Sequence, residues 1–192
     1  MKNVERPVLE SLLTKIKNKD QNAFRQLCLA YNTSIFRFAM LRLRDETASE
    51  EVVSDVLYQV WLHPERFDFR VEFGTWLLSI AKHKIVDRQR TSRPATDDID
   101  DFSEVLASDA PDGFEVLQRK QLAEVLRICI EKLPVDHRAA ISLVFYEGLT
   151  VGEAAVAESV PEGTLKTRLF HARQRLKACA QIRLGRAAGG AS

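Results

Sequence analysis

The residues whose types and spacing carry the clearest chemistry lie between Leu149 and Leu176, toward the end of the chain. Here apolar side chains at 4, 3, 4 spacing predict one buried stripe along a helix: Leu165, Leu169, Ala172 and Leu176. The opposite face then carries Thr167, Phe170, His171 and Gln174, bordered by Lys166, Arg173 and Lys177 on one side and by Arg168 and Arg175 on the other. Cations on both borders can neutralise phosphates across a groove, while the side chains between them can reach base edges. The pattern is typical of a helix that reads duplex DNA.

The residues before this helix predict the element that holds it in place. Thr150 and Glu153 form a capping-box pattern, so a short first helix begins near Val151. It must end before Pro161, because a residue that precedes proline is disfavoured in the helical region. Pro161 and Glu162 then suit the first turn of the second helix. Two short helices joined by a tight turn predict a helix-turn-helix.

A solvated polar face on an ordinary helical hairpin is the alternative interpretation of these residues. Phe170 argues against it, because this aromatic side chain faces away from the apolar stripe and is surrounded by cations. Charge is also segregated along the chain, although the formal net charge is only +1. Residues 166–186 contain no acidic side chain, whereas residues 97–115 carry acidic charge only. The basic C-terminal segment favours nucleic-acid binding.

The composition limits the class of protein. A chain of 192 residues with 45% hydrophobic residues can form one domain or two small ones. No apolar run approaches the length of a membrane span, and the polar start of the chain lacks the core of a signal peptide. We therefore expect no membrane insertion and a cytoplasmic location. Cys28, Cys129 and Cys179 include no CxxC pair and are odd in number, so we expect reduced thiols rather than a disulfide or a zinc site.

Apolar positions recur every three or four residues along most of the chain, which predicts an all-α fold. The predicted helices are Leu9–Asn18, Ala23–Leu43, Ala48–Leu62, Gly74–Arg90, Phe114–Leu133 and Val135–Glu147, followed by the helix-turn-helix. Residues 94–113 are acidic and contain Pro, Ser and Gly, so we expect a flexible linker there. The chain is thus predicted to form two small helical domains, residues 8–93 and 114–184, with a frayed end from Gly185 onward.

The third predicted helix, Ala48–Leu62, combines a broad apolar face with an acidic outer face. Glu51, Asp55 and Tyr58 point outward at helical spacing. An acidic surface with an aromatic residue can dock a basic helical partner, and an ordinary solvated face explains it equally well. The residues alone leave both interpretations open.

The loop that follows, Arg66–Phe73, contains three phenylalanines and two arginines. Phe73 and Trp76 are spaced as a core pair, while a base stacked on the other loop aromatics is chemically reasonable. The next helix becomes basic in its second half, which carries Lys82, His83, Lys84, Arg88 and Arg90. One cation at this position can simply satisfy the negative end of the helix dipole, but the cluster favours an anionic partner.

In this order, the segments Ala48–Trp61, Phe73–Arg90 and Leu133–Leu176 resemble an extracytoplasmic-function sigma factor of bacterial RNA polymerase. The resemblance spans both predicted domains. It implies a sigma-2-like helical bundle that binds core RNA polymerase and opens the minus-10 element. It also implies a sigma-4-like helix-turn-helix domain that reads the minus-35 element. The expected partners are core RNA polymerase, promoter DNA and an anti-sigma factor, and no cofactor or metal is expected.

The resemblance assigns roles to residues by position. The residues implied to contact core polymerase are Glu50, Glu51, Asp55 and Tyr58. The residues implied to contact the minus-10 element are Arg66, Phe67, Phe69, Arg70, Lys82, His83, Asp87, Arg88 and Arg90. The residues implied to contact the minus-35 element are Thr164, Lys166, Thr167, Phe170, His171 and Arg173. Ser54, His83, Ser159 and His171 depart from residues common in the family, which are glutamine, asparagine, glycine and arginine in that order. These departures concern promoter choice more than class.

Two other functions are alternatives. An autonomous helix-turn-helix regulator with a sensor or dimerisation domain would bind an operator alone, commonly as a symmetric dimer. The acidic outer face and basic helix of the first domain disfavour it, because a sensor domain has no need of them. An enzyme is disfavoured because the chain has no HExxH motif, no phosphate-binding glycine loop and no nucleophile motif around a Ser or Cys.

Overall fold

The computed structural model describes residues 4–91 and 113–189. The first range forms α1 (Arg6–Lys17), α2 (Gln21–Leu43), α3 (Glu46–Leu62), a 3-10 turn (Pro64–Arg66) and α4 (Phe73–Thr91). The second range forms α5 (Gly113–Glu131), α6 (Val135–Ile141), a π-helical turn (Ser142–Tyr146), α7 (Val151–Glu158) and α8 (Glu162–Gly189). No strand occurs in either described range, and the predicted all-α class is confirmed. None of the helices in these ranges is long and apolar enough to cross a membrane.

The helices begin at side chains that satisfy their first backbone donors. Asp20 accepts hydrogen bonds from the amides of Asn22 and Ala23 at the start of α2, and Asp45 accepts one from Ala48 at the start of α3. The predicted capping box at the start of α7 is confirmed: the Glu153 amide donates to Thr150 Oγ1, and the Thr150 amide donates to Glu153 Oε2.

α7 ends at Ser159, which has a left-handed backbone with φ of 56°. A side chain at this position is strained because its Cβ crowds the following carbonyl, and glycine avoids the strain. We expect Ser159→Gly to raise the free energy of unfolding by about 0.5–1 kcal/mol. The matched control is Ala178→Gly, on the exposed middle of α8, which should lower stability by about 1 kcal/mol. Thermal unfolding checks both, and the same sign for the two changes would contradict the account.

The core of the first range lies among α1, α2, α3 and α4. Its fully buried side chains include Ile16, Leu27, Ile35, Val52, Leu77 and Ile85. Tyr31 is also buried, and its hydroxyl accepts a hydrogen bond of 3.1 Å from the Val4 amide. Apolar residues from four helices thus hold α3 and α4, the two helices that carry the predicted contacts, in fixed positions.

The second range packs α8 against α5, α6 and α7. The predicted stripe of α8 is confirmed, because Leu165, Leu169 and Ala172 are buried and Leu176 is partly buried. Gly148 has φ of 72°, a left-handed backbone that glycine adopts without strain just after a helix end. α8 continues to Gly189, so the predicted fraying from Gly185 is wrong. Arg186, Ala187 and Ala188 are good helix formers, and they continue the helix past Gly185.

The expectation of reduced cysteines is wrong for two of the three. Cys129 on α5 and Cys179 on α8 form a disulfide, with an S–S distance of 2.03 Å across 50 positions of sequence. Sequence spacing could not reveal the pair, because packing of α5 against α8 brings the two Cα atoms to 5.8 Å. Cys28 is not disulfide-bonded, and its partial burial raises the pKa of its thiol.

The two described ranges also pack against each other, α4 on α7 and α2 on α6. Ser34 Oγ on α2 donates a hydrogen bond of 2.8 Å to Glu147 Oε2, and Arg138 on α6 donates one of 3.1 Å to the Leu41 carbonyl. The predicted linker, residues 94–113, lies outside the described residues apart from Gly113, which begins α5.

Candidate nucleic-acid and partner interfaces

The first half of α8 presents the predicted polar face to solvent. The residues exposed there are Thr164, Lys166, Thr167, Phe170, His171 and Arg173. Phe170 is 57% exposed, although a phenylalanine normally gains by burial. Its ring lies 5.4 Å from the ring of His171. The face therefore combines cations, a hydroxyl and an apolar ring within reach of a groove, which is the set needed for phosphates, base edges and thymine methyl groups.

Phe145 extends this face, and the sequence reasoning missed it. Phe145 is exposed in the π-helical turn, and the guanidinium of Arg173 lies 5.3 Å from the centre of its ring. A cation held over an aromatic ring loses some of its freedom before it meets a phosphate. The signal available in the sequence was a pair of neighbouring aromatic residues, Phe145 and Tyr146, near the end of a predicted helix.

His137 and Arg168 lie behind this face. The rings of His137 and His171 stack with centroids 6.2 Å apart. Burial lowers the pKa of His137, and the nearby charge of Arg175 lowers it further. Arg168 was expected at the border of the polar face, but its side chain is only 20% exposed and donates a hydrogen bond of 2.7 Å to Asp136. This arginine points toward α6 and α7 and is not available at the outer surface.

The acidic ridge on α3 consists of Glu50, Glu51, Asp55 and Tyr58. Glu50, Glu51 and Tyr58 are exposed, and Asp55 is half-buried. Arg88 on α4 donates hydrogen bonds to Glu51 and to Asp55, the latter at 2.9 Å. Sequence reasoning assigned Arg88 to DNA and the two carboxylates to a protein partner, and it did not pair them. A basic partner of the ridge must therefore compete with Arg88 for two carboxylates.

The aromatic loop before α4 is built around Phe67. Phe67 is 5% exposed and packs against Phe69, Phe73 and Trp76, with ring centroids 4.6, 4.9 and 5.3 Å away. The predicted core pair of Phe73 and Trp76 is confirmed by a centroid distance of 5.5 Å. In this structure Phe67 supports the loop from beneath and has no free ring face for a base.

Phe69 has the more suitable position for contact with a ligand. It is partly exposed, and its φ of 60° is rare for a bulky residue. Arg6 lies 5.2 Å from its ring, and Arg70 pairs with Asp68 at 3.1 Å. Arg66 is exposed beside them. The loop borders an open cleft of about 740 Å³ whose opposite wall includes Val156 of α7.

The basic second half of α4 is divided between solvent and the contact with α7. His83, Asp87 and Arg90 are exposed. Lys82 is different, because its side chain is only 20% exposed and its Nζ lies 3.5 Å from Glu158 Oε2. One of the predicted DNA contacts is therefore engaged within the protein.

Glu158 is the centre of a buried charged cluster that sequence reasoning missed. Its side chain is fully buried, and it accepts a hydrogen bond from Arg42, whose side chain is 3% exposed. Burial lowers the pKa of Arg42, and the carboxylate of Glu158 opposes that change. A signal existed, since Arg42 continues the buried positions Ile35, Phe38 and Ala39 at helical spacing. Among the described residues no group of three or more His, Cys, Asp or Glu side chains is placed to hold a metal ion.

Two family models match this chain. The model described as Sigma-70 region 2 matches residues 27–94, and the model described as Sigma-70, region 4 matches residues 123–176. The first match contains the acidic ridge, the aromatic loop and the basic part of α4, and the second contains α6, α7 and the polar face of α8.

Curated relatives match over nearly the whole chain. The ECF RNA polymerase sigma factor SigK of Mycobacterium bovis BCG is 29% identical over 183 residues, covering 91% of this chain and 94% of its own. The ECF RNA polymerase sigma factor SigW of Bacillus subtilis is 24% identical over 182 residues, covering 88% of this chain and 95% of its own.

Two solved structures share the fold. CnrH, in complex with the cytosolic domain of CnrY, aligns with a TM-score of 0.60 at 23% identity, covering 91% of this chain and 98% of its own. The sigma factor RpoE of Bartonella quintana, in complex with the anti-sigma factor NepR, aligns with a TM-score of 0.57 at 23% identity, covering 83% of this chain and 97% of its own.

Proposed function

This chain belongs to the extracytoplasmic-function sigma factors of the sigma-70 family, and we propose that it binds bacterial core RNA polymerase and directs promoter recognition and strand opening for transcription initiation. The observation that carries the proposal is the presence, in one chain and in this order, of an acidic ridge, a basic helix and an exposed recognition face. The chain itself would supply position and register, and the polymerase would supply the chemistry.

We assign core binding to the acidic ridge. Three of its four side chains are exposed on a rigid helix, and they present two charges and an aromatic ring to a basic partner. The pairing of Arg88 with Glu51 and Asp55 keeps the ridge ordered before the partner arrives. The partner would then displace Arg88 and leave it available to DNA.

We assign minus-10 contact and strand opening to the loop and the basic part of α4. Phe69 and Arg70 line the cleft, and Arg66 is exposed in the same loop, so an unstacked base can contact an aromatic face there and a phosphate can contact a cation. His83, Asp87, Arg88 and Arg90 follow along α4. Phe67 supports Phe69 and Phe73 in this account, and it contacts no base unless the aromatic cluster rearranges.

We assign the minus-35 element to the exposed face of α8. In the domain division that we propose, residues 8–93 make the contacts with core polymerase and the minus-10 element, and residues 114–184 make the contacts with the minus-35 element. Residues 94–113 link the two domains. The minus-35 domain places α8 in a major groove, where Lys166 and Arg173 meet phosphates and Thr167, Phe170 and His171 meet bases.

We further propose a cytoplasmic location, no enzymatic activity of its own and an anti-sigma factor as a regulatory partner. Two structural neighbours, CnrH and RpoE, were solved with CnrY and with the anti-sigma factor NepR. The exposed apolar side chains on α5 and α8 offer such a partner additional surface: Leu122, Leu126, Ile182 and Leu184.

An autonomous regulator would bind its DNA site without polymerase, whereas a sigma factor would require core polymerase for specific binding. The test compares binding of a promoter fragment by the chain alone and by the chain with core polymerase, at one fixed salt concentration. We expect tight sequence-specific binding only when core is present. Tight specific binding by the chain alone, unchanged by core, would favour the autonomous regulator.

His171→Arg tests the recognition face. Arginine carries a permanent charge and a planar fork of N–H donors that suits phosphate, so the variant should gain a phosphate contact. We expect tighter minus-35 binding, poorer discrimination between sequences and a salt dependence steeper by about one unit of slope. Fluorescence anisotropy at several salt concentrations measures all three. Equal affinities for the two proteins at low and at high salt would contradict the assignment.

A further inference from the structure

One carboxylate holds the two proposed DNA-binding helices together. Glu158 Oε2, at the end of α7, lies 3.5 Å from Lys82 Nζ on α4 and 3.6 Å from an Arg168 nitrogen on α8. Its other oxygen accepts a hydrogen bond from Arg42 on α2. Three cations, two from the first described range and one from the second, therefore converge on one side chain.

The Arg42–Glu158 pair can form only while the two halves are packed, because its two members lie one in each described range. The side chains of Arg42 and Glu158 are 3% and 0% exposed, so neither can exchange its partner for water in place. A buried charge that loses its partner is strongly unfavourable, whereas both charges are well solvated once the halves separate. Removal of either charge should therefore destabilise the packed form and leave the separated form unaffected.

The packed form is incompatible with simultaneous contact to both promoter elements. Elements centred about 10 and about 35 base pairs upstream lie roughly 85 Å apart along B-form DNA, at 3.4 Å per base pair. In the packed form a residue of α4 and a residue of α8 approach the same oxygen within 4 Å. The chain between Thr91 and Gly113 is long enough to reach roughly 70 Å when extended, so its length permits separation.

We infer that Glu158 is an internal latch that holds the protein in a closed form and that promoter phosphates must replace it at Lys82. This inference rests on the proposed function, because it takes α4 and α8 as DNA-binding helices. In the closed form the carboxylate occupies a cation that DNA needs, and it keeps the two helices too close to span the promoter. Binding to core polymerase and DNA is thereby coupled to opening.

The experiment measures the shape of the full chain in solution by small-angle X-ray scattering. The variants are Glu158→Gln and Arg42→Gln, which break the same pair from opposite sides. Glu124→Gln is the matched control, because it removes the same charge from an exposed glutamate of α5 that pairs with Arg127 on the same helix. Circular dichroism checks that each variant keeps its helices.

We expect the wild type and Glu124→Gln to have a radius of gyration of roughly 16 Å, the value for one compact body of this length. Glu158→Gln and Arg42→Gln should exceed that value by about a quarter. If a tenth of wild-type molecules are open, full opening should also tighten binding to promoter DNA about ten-fold in the absence of core. An unchanged radius in both variants, or a wild type that is already extended, would overturn the latch.

Arg42→Gln separates the latch from a simple charge effect. This variant loses a positive charge, so electrostatics alone predicts weaker DNA binding, whereas opening predicts tighter binding. A double variant, Arg42→Met with Glu158→Met, replaces the buried pair with apolar side chains and should return the radius to the wild-type value. Weaker binding by Arg42→Gln would count against the latch.

The latch and the proposed function fail in different ways. If core polymerase and the wild type start no transcription, the proposed function is wrong even though the variants open. If the wild type starts transcription and neither variant changes in radius or DNA affinity, the latch is wrong and the proposed function stands.

Discussion

Asp55→Arg is expected to lower the affinity of this chain for core RNA polymerase by at least about 100-fold, because reversing a charge in an interfacial ion pair costs several kcal/mol. Asp55 lies at the centre of the acidic ridge, half-buried between α3 and α4. An arginine at this position repels a basic partner and also repels Arg88, which still has Glu51 as a partner. The loss of affinity should appear mainly as faster dissociation of the chain, which can be measured with core polymerase immobilised on a surface.

The matched control is Glu10→Arg on α1. It makes the same change in net charge at an exposed glutamate that pairs with Arg6, and it lies away from the ridge. We expect affinity close to that of the wild type. Equal losses in the two variants would show that core binding follows net charge alone, and no loss in Asp55→Arg would remove the ridge from the interface.

Loss of the Cys129–Cys179 disulfide is expected to lower the free energy of unfolding of the part of the chain formed by α5 to α8 by about 2–4 kcal/mol. The bond closes a loop of 50 positions, so its removal frees a long stretch of the unfolded chain. It also joins α5 to α8 covalently. Urea unfolding with and without a reductant measures the difference.

Two variants make this prediction specific. Cys129→Ser with Cys179→Ser should reproduce the stability of the reduced protein and no longer respond to the reductant. Cys28→Ser should keep the full response, because Cys28 is outside the disulfide. Identical stability of the oxidised and reduced proteins would contradict the expected contribution. In the cytoplasmic location that we propose, where disulfides are rare, the reduced protein is the relevant form.

The helices were predictable because their signals are local. Thr150 and Glu153 are three residues apart, and the capping box they predict is present at the start of α7. The apolar stripe on α8 follows from the same helical spacing, and Leu165 and Leu169 are buried as predicted. Turn and cap residues such as Gly148 act within a few positions of the chain, so their signals need no knowledge of the tertiary structure.

The contacts that were missed join residues far apart in sequence. Arg42 and Glu158 are 116 positions apart, and Arg88 and Asp55 are 33 apart. Helical spacing indicates that Arg42 is buried, but it does not indicate which charge Arg42 meets, and only the packing of the helices identifies the partner in each pair. The same reason explains why Arg168 was placed on the outer face when it bonds to Asp136.

The candidate site was predictable as a set of surfaces and less so as a set of contacts. The exposed residues of α8 follow from the apolar stripe on its other side, so Phe170 and His171 lie where spacing predicts. Phe67 shows the limit, because three phenylalanines in one loop cannot be sorted by spacing into one that packs and one that remains accessible. Which phenylalanine packs and which remains accessible depends on burial, and burial is known only from the fold.

The central claim is that this chain directs core RNA polymerase to specific promoters. The most direct test is run-off transcription from a linear duplex template, with core polymerase and the purified chain, on promoters selected from a random library by the complex. The account predicts transcripts that start at one position downstream of two conserved elements, only when the chain is present, and that are lost with Asp55→Arg. Core polymerase that gives the same transcripts with and without the chain would contradict it.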